Sequence, residues 1–270
     1  MPKISVITIN YNNKEGLEKT IESVVNQSLQ DFEYIVIDGN STDGSQEILE
    51  KYTAKISHAV SEPDTGIYNA MNKGIKAATG EYILFLNSGD EFYATQSLEK
   101  AAEHLTGEDI IYGNLDVHGE SNSFIKEYNA PLSFHYFYIE SLPHPSSFIK
   151  KSAFEKYGWY DENLKIISDW KWFLEAIVFK NATYKHISTT ISRFYLDGIS
   201  SNNDDKVNDE KNFVFRKYPL LKIDAEEIEL LKKQLHDANK NLKDFEYKYN
   251  YLKKFRAVRF LHQIGIIKIR

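Results

Sequence analysis

Residues 4–13, ISVITINYNN, and residues 34–43, YIVIDGNSTD, are two short β-rich apolar runs that each end in a polar cluster. A third run, YILFLNSGD at residues 82–90, has the same form. Such runs are typical of strands buried on both faces of a parallel sheet. Apolar residues at helical spacing lie between and around these runs, at residues 15–28, 45–52 and 67–78. This alternation predicts right-handed βαβ units and an α/β domain with a mostly parallel sheet flanked by helices.

The three polar clusters, residues 10–13, 38–43 and 87–90, all follow predicted strands. In parallel sheets, ligands bind beyond the carboxyl ends of the strands, and those ends share one edge. We therefore expect the three clusters to form a single ligand site.

Composition limits the classes of protein to which the chain can belong. Of its 270 residues, 42% are hydrophobic and 27% are charged, which suits a folded protein with a sizeable core. The net charge of −6 argues against nucleic acid as a partner. The chain has no cysteine, so disulfides, thiolate zinc sites and cysteine nucleophiles are excluded. With no signal peptide and no apolar run of about 20 residues, we expect a cytoplasmic, soluble or peripheral protein.

The character of the chain changes near residue 224, which predicts two parts, residues 1–222 and 223–270. Apolar residues at heptad spacing over residues 228–252 favour a coiled coil or a long packed helix, and with it a homo-oligomer. Residues 253–270 mix apolar and basic side chains without any acidic one. We expect this segment to lie on an anionic membrane surface, at the inner face of the cell membrane, or else to pack against a partner chain.

Four segments carry a resemblance to a known family. These are residues 5–12, 35–44, 62–74 (EPDTGIYNAMNKG) and 85–90. Together, and in this order, they resemble the family 2 glycosyltransferases, which have the Rossmann-like GT-A fold, and the similarity extends over about residues 3–200. The resemblance implies inverting transfer of a sugar from a nucleotide-sugar donor.

The resemblance also assigns residues to the donor and to a metal. It implies that the donor contacts Thr8, Asn10, Tyr11, Asp38, Asp64 and Asn87. It places Asp90 at the metal, Mn²⁺ or Mg²⁺, which neutralises the leaving diphosphate. The chain departs from the family pattern at Gly39, Asn87 and Gly89, where acidic residues are usual. Asp38, Asp64 and Asp90 are also residue types that shape turns and cap helices.

The acceptor side is assigned by the segment around Asp169, which matches the family's second acidic site. The residue begins an apolar helix, whose positive end favours the ionised carboxylate, and is our candidate for the catalytic base. The alternative for Asp169 is a plain N-cap of that helix. His144 and Trp170 are candidate acceptor contacts, and His144 could instead bind phosphate or be structural. Arg193 and Ser200 are candidates for a loop that closes over the diphosphate, and a plain surface loop is the alternative.

Three functions remain open on the sequence alone. The first is a glycosyltransferase that moves a hexose, most simply from a UDP-sugar, to a lipid-linked saccharide in cell-surface polysaccharide synthesis. The second is a sugar nucleotidyltransferase, which residues 10–14 disfavour because the glycine-rich basic loop of that class is missing. The third is a non-catalytic membrane scaffold built on the coiled coil, which leaves Asp38, Asp90 and Asp169 unexplained.

Overall fold

The computed structural model of the chain forms two compact units, residues 1–212 and residues 213–270. The structure describes residues 3–119, 122–128, 131–196 and 203–218, and residues 233, 234, 236, 237 and 239–243. Ser200 and the predicted basic tail, residues 253–270, lie outside these ranges. The described residues between 233 and 243 are helical and exposed, and they give no support for a coiled coil. The predicted boundary at residue 222 also lies outside the described residues and stays a prediction.

Nine strands form one sheet in the described part of the chain. They are β1 Ile4–Asn10, β2 Glu33–Asp38, β3 His58–Ser61, β4 Tyr82–Phe85, β5 Glu91–Phe92, β6 Ile110–His118, β7 Ser123–Lys126, β8 Ser147–Lys150 and β9 Tyr184–Tyr195. The helices are α1 Lys14–Val25, α2 Ser45–Lys51, α3 Ile67–Ala77, α4 Ser97–Ala102, α5 Phe134–Ile139, α6 Lys151–Tyr157, α7 Ser168–Leu174 and α8 Asp204–Phe215. Short helical turns lie at Thr53–Lys55, His144–Ser146 and Glu175–Phe179. None of the helices in the described ranges is long and apolar enough to cross a membrane.

The sheet is mixed, with strand order β3-β2-β1-β4-β8-β6-β9-β5 and β7 paired to β6. The pairs β3–β2, β2–β1 and β1–β4 are parallel, as the sequence predicts. Beyond β4 the prediction of a mostly parallel sheet is wrong, because β8 runs antiparallel to both β4 and β6. An apolar run predicts that a strand is buried, whereas its direction depends on the connections, and a short turn such as that between β6 and β7 requires an antiparallel pair.

Two helices cover opposite faces of the parallel half. Alternate residues of β1 point to opposite faces, and Ile4 and Val6 join a buried cluster with Leu17 and Ile21 of α1. Ile7 points to the other face, where a Cβ on Gly74 of α3 would lie only 2.6 Å from its Cγ2. This close approach of α3 fixes the helix against the sheet, and with it the residues that precede the helix at the cleft described below.

Candidate active site

A cleft of about 1400 Å³ opens at the carboxyl ends of β1, β2 and β4. The other walls come from the entry to α3, the turn before β8, the start of α7 and residues of β6, β7, β9 and α8. Eight of the predicted site residues line it: Asn10, Tyr11, Asp64, Asn87, Asp90, His144, Asp169 and Trp170. The fold thus brings residues from distant parts of the sequence to one cavity.

Asp38 lies behind the cleft wall and organises the turn that follows β2. Its carboxylate is fully buried and accepts hydrogen bonds from Asn10 Nδ2 (2.8 Å), the Ser41 backbone N–H (2.9 Å), Ser41 Oγ (2.6 Å) and Ser61 Oγ (2.6 Å). Burial alone would raise the pKa of Asp38, but these hydrogen bonds outweigh it and hold the pKa below its usual value. Asp38 therefore positions Asn10, which lines the cleft, rather than lining the cleft itself.

Thr8 is placed in a similar way inside β1. Its hydroxyl is buried, donates to the Leu86 carbonyl (2.8 Å) and lies 3.0 Å from the Tyr34 hydroxyl. These contacts tie β1 to its two neighbours, β2 and β4. The structure thus gives Thr8 and Asp38 positions that support the cleft from behind.

One end of the cleft combines an exposed aromatic ring with a carboxylate. Tyr11 is 65% exposed, the highest value among the exposed large hydrophobic residues of the described chain. Asp64 accepts a hydrogen bond from the Gly66 backbone N–H through Oδ1 (2.9 Å), which leaves Oδ2 on the side of Gly39. A Cβ on Gly39 would lie 2.6 Å from this Oδ2 and 3.0 Å from Tyr11 Cδ2. The Asp64 carboxylate therefore occupies the space next to the position where family members usually carry an acidic side chain.

Thr20 of α1 makes several of the hydrogen bonds that hold the turn after β4. Thr20 Oγ1 donates to the Asp90 carbonyl (2.7 Å) and lies 3.2 Å from the Asn87 carbonyl. The same oxygen accepts from the Gly89 backbone N–H (2.9 Å), and Gly89 has a φ of 108°, which favours glycine. The turn thereby presents Asn87 and Asp90 to the cleft.

The oxygen atoms of this turn suit a divalent cation that takes most of its ligands from substrate phosphate and water. Asp90 supplies one carboxylate, and Asn87 Oδ1 is a buried oxygen without a hydrogen-bond partner in the described structure. No group of three or more His, Cys, Asp or Glu side chains that could hold a metal is present among the described residues. Mg²⁺ and similar ions are held by one or two protein carboxylates together with phosphate oxygens and water. The residues present fit that arrangement.

Asp169 lies at the N-terminus of α7, and both of its carboxylate oxygens have a partner. Tyr68 donates its hydroxyl to Oδ1 (2.8 Å) and also contacts the Ile166 carbonyl (2.6 Å), while His144 Nδ1 lies 3.4 Å from Oδ2. Burial alone would raise the pKa of Asp169. The hydrogen bonds and the charge of His144 outweigh it and hold the pKa below its usual value. Asp169 is therefore ionised and held in one orientation.

His144 connects the two chemically distinct parts of the cleft. Its Nε2 lies 3.1 Å from Asn87 Nδ2 in the turn after β4, and its Nδ1 faces Asp169. Burial lowers the pKa of this imidazole, but the hydrogen bond and charge of Asp169, with a smaller effect from Asp90, raise it above its usual value. The side chain is 22% exposed. His144 therefore bridges two protein side chains and exposes only an edge to the cleft.

The arm of the cleft beyond Asp169 is largely apolar, with two lysines. Trp170 is 2% exposed, donates Nε1–H to the Phe137 carbonyl (2.6 Å) and has Lys211 Nζ 5.3 Å from its ring centroid. Burial lowers the pKa of Lys211, and Lys126 forms an ion pair with Glu140. The apolar lining of this arm includes Leu115, Val117, Phe124, Ile139, Phe194 and Leu196.

Arg193 is the one described candidate that stands apart from the cleft and from its supporting strand ends. It lies in β9, where its Nε donates to Asp116 Oδ2 (2.8 Å) and its guanidinium lies 5.9 Å from the Tyr93 ring centroid. His118 contacts the same Asp116 oxygen (2.8 Å). Closure of Arg193 over a diphosphate would require this ion pair to break, and the role of the residue stays a prediction.

Sequence reasoning missed Tyr68, Lys126 and Lys211. Tyr68 lies in one of the four motifs, yet its hydroxyl reaches Asp169, 101 residues further along the chain. A tyrosine near the start of an amphipathic helix carries no signal that separates it from a core residue. The two lysines belong to the residue type most often found on surfaces, and 85 positions separate them in the sequence.

Comparison with known proteins identifies a matching family and similar sequences. The family described as Glycosyl transferase family 2 matches residues 5–164. A protein of Mycobacterium tuberculosis (strain CDC 1551 / Oshkosh), the uncharacterized glycosyltransferase MT1564, is 33% identical over 187 residues, which are 65% of this chain and 69% of that protein. The putative teichuronic acid biosynthesis glycosyltransferase TuaG of Bacillus subtilis (strain 168) is 37% identical over 107 residues, 38% of this chain and 42% of TuaG.

A solved structure shares the fold. The crystal structure of S. aureus TarS 1-349 in complex with UDP-GlcNAc superposes with a TM-score of 0.59 at 22% identity. The superposed part covers 72% of this chain and 58% of the TarS chain. The similarity therefore concerns the α/β GT-A-like core with its mixed sheet.

Proposed function

The chain belongs to glycosyl transferase family 2, and we propose that it moves a hexose with inversion from a UDP-sugar to a lipid-linked saccharide during cell-surface polysaccharide synthesis. The placement of Asp169 carries this proposal. Its carboxylate is oriented by Tyr68 and His144 in the cleft that Asp90 also lines. An inverting transferase needs a base for the acceptor hydroxyl and a separate means of neutralising the leaving diphosphate.

In the proposed reaction, Asp169 accepts the proton of the acceptor hydroxyl while that oxygen forms a bond to the anomeric carbon. The bond from this carbon to the donor phosphate oxygen breaks on the opposite face, and its electron pair leaves with the nucleoside diphosphate. The configuration of the sugar is thereby inverted. A carboxylate of low pKa is a sufficient base because the hydroxyl proton becomes acidic as the new C–O bond forms.

The strand order supports a direction for the bound donor. Asp90 follows β4, the residues of the Tyr11 end follow β1 and β2, and His144 precedes β8 on the other side of β4. Asp90 and Asn87 would hold Mn²⁺ or Mg²⁺ together with diphosphate oxygens, and the cation would neutralise the charge of the leaving group. We place the nucleoside over β1 and β2, and the acceptor beyond β4.

The Tyr11 end of the cleft suits uracil. The exposed ring of Tyr11 offers a stacking surface, and Asp64 Oδ2 offers an acceptor at its side. Uracil presents an N3–H donor to such a carboxylate, whereas cytosine presents an unprotonated N3, which the carboxylate repels. The UDP-GlcNAc bound by the structurally similar TarS protein supports the same assignment.

Asp64→Asn tests this assignment of the base. An amide can both donate and accept, so it removes the repulsion of cytosine while still accepting from uracil. We expect the preference for UDP over CDP, measured by calorimetry with Mn²⁺ present, to narrow about ten-fold, equivalent to about 1.4 kcal/mol. Glu62→Gln is the matched control, because Glu62 is ion-paired with Lys73 (2.8 Å) outside the cleft lining. If Asp64→Asn keeps the wild-type preference for UDP over CDP, Asp64 does not recognise the base.

The apolar arm supports an acceptor that carries a lipid. Phe124 and Leu196 are 53% and 47% exposed and belong to the apolar lining of this arm, and contiguous exposed apolar patches mark contacts with ligands, membranes or other proteins. Lys126 and Lys211 line the same arm and suit the phosphate of a lipid carrier. Contact of residues 253–270 with an anionic membrane, and self-association through residues 228–252, are parts of the same proposal.

The direct test of the proposed function is a screen of nucleotide-sugars with purified protein and Mn²⁺. We expect UDP-sugars to raise the melting temperature, because a ligand that binds the folded state stabilises it, and UDP to be released slowly by donor hydrolysis. Release of pyrophosphate from a nucleoside triphosphate and a sugar phosphate would instead identify a nucleotidyltransferase. Binding of no nucleotide would leave the non-catalytic scaffold.

A further inference from the structure

The segment that precedes Asp169 is held by a carboxylate from α8. Glu210 Oε1 accepts a hydrogen bond from the Lys165 backbone N–H (2.6 Å). Its Oε2 accepts from the backbone N–H groups of Ile166 (3.1 Å) and Ile167 (3.2 Å). One side chain therefore fixes three consecutive peptide groups that end two residues before Asp169. Hydrogen bonds to an ionised acceptor are stronger than those between neutral groups.

The same segment is also held by Tyr68 of α3. The Tyr68 hydroxyl contacts the carbonyl of Ile166 (2.6 Å), whose N–H bonds to Glu210, and it donates to Asp169 itself. The residue after Glu210, Lys211, stands over the ring of Trp170, the neighbour of Asp169. Two residues of α8 thus contact the chain on both sides of the proposed base.

We propose that Glu210 is a positioning residue for Asp169, so that α8 sets the geometry of the proton acceptor without touching substrate. The inference rests on the proposed function, in which Asp169 is the base. A base acts only within hydrogen-bond distance of the proton it removes. Tyr68 binds the Ile166 carbonyl and the Lys171 N–H donates to the Ile167 carbonyl. Glu210 adds the bonds to the three N–H groups of residues 165–167.

Glu210→Ala, compared with a double variant, tests the proposal in the full-length protein. A displacement of about 1 Å at a catalytic group costs about 100-fold, so we expect kcat for transfer to fall by about that factor, with UDP affinity within about two-fold of wild type. In an Asp169→Asn background the same substitution should cause no further loss, because its effect passes through Asp169. Asp209→Asn is the matched control, an exposed acid on the same helix that no described hydrogen bond joins to residues 165–167.

The outcomes separate a positioning role from a structural one. Equal losses in the wild-type and Asp169→Asn backgrounds, or full activity of Glu210→Ala, would overturn the proposal. Circular dichroism and thermal unfolding show whether the variant folds. If Glu210→Ala does not fold, Glu210→Gln replaces it, because glutamine keeps one acceptor oxygen and the shape of the side chain. A fall in kcat of about ten-fold that vanishes in the Asp169→Asn background then supports the proposal. If Asp169→Asn itself keeps wild-type turnover, Asp169 is not the base and the proposed role of Glu210 fails with it, whereas the nucleotide-sugar screen tests the transferase function separately.

Discussion

Replacing Asp169 by asparagine should lower kcat for sugar transfer about 1000-fold and leave donor affinity within a few-fold of wild type. The amide has nearly the same size, and its oxygen still accepts the hydrogen bond that Tyr68 donates to Oδ1. It has no affinity for the proton of the acceptor hydroxyl, and proton transfer by a positioned base contributes about 100- to 10,000-fold to rate. Donor affinity is kept because, in the proposed arrangement, the nucleoside and diphosphate lie on the opposite side of Asp90 from Asp169.

Initial rates at saturating donor and acceptor measure kcat, and calorimetric titration of UDP measures donor affinity. Asp161→Asn is the control, because Asp161 lies close in sequence but pairs with Lys171 (2.7 Å) instead of lining the cleft. Its pKa is lowered to about 2, since the hydrogen bonds from Lys171 and Asn163 outweigh burial. That control should lose thermal stability and keep its turnover. Near-normal kcat in Asp169→Asn would mean that another group takes the proton.

The pH dependence of the wild-type enzyme follows from the same contacts. A base of lowered pKa stays ionised down to that pKa, so the acid loss of kcat through Asp169 should occur below its usual value of about 3.9. The same carboxylate stabilises the fold above its unfolded pKa, and this contribution is lost as the pH falls through the lower folded pKa. His144 has the opposite effect on the pH dependence of stability. Its pKa is raised, so the stabilisation by its positive charge is present at low pH and is lost as the pH rises through the folded pKa.

Local sequence pattern was sufficient for the parallel half of the fold. The runs that begin at Ile4, Tyr34 and Tyr82 are short, apolar and followed by polar residues, and these features depend only on burial at a strand and exposure at its end. The structure has strands at all three places, joined in parallel through β1. The direction of β8 depends instead on how a long irregular connection packs, and no local pattern encodes that.

The site was predictable in the carboxylates of its motifs and not in the residues that support them. Asp90 and Asp169 stand in motifs with a chemical meaning, and both line the cleft. Tyr68 and Glu210 act through the backbone of one loop, over separations of 98 and 44 residues, and any polar residue of sufficient length could have made such contacts. The departure at Gly39 became interpretable only in three dimensions, where Asp64 is found beside it.

Replacing Asp90 by asparagine should remove most of the stimulation by Mn²⁺ and lower kcat about 100-fold. Asp90 is the only carboxylate in residues 87–90, because Asn87 and Gly89 stand where acidic residues are usual. A divalent cation contributes several kcal/mol by neutralising charge on a leaving oxygen, and a neutral amide is a weaker ligand for a hard cation than a carboxylate. Because the diphosphate supplies further ligands, we expect weaker binding of the cation rather than its complete loss.

Titration of Mn²⁺ at fixed UDP-sugar concentration measures both effects, since the half-saturating concentration reports affinity and the plateau reports kcat. Glu91→Gln is the matched control, because this neighbouring acid contacts Tyr195 (2.8 Å) and Lys19 (2.8 Å) and does not line the cleft. It should keep the wild-type Mn²⁺ dependence. If Asp90→Asn responds to Mn²⁺ as wild type does, the cation is not held by the turn after β4. The cation is then held by other groups, with the diphosphate oxygens as the first ligands to consider.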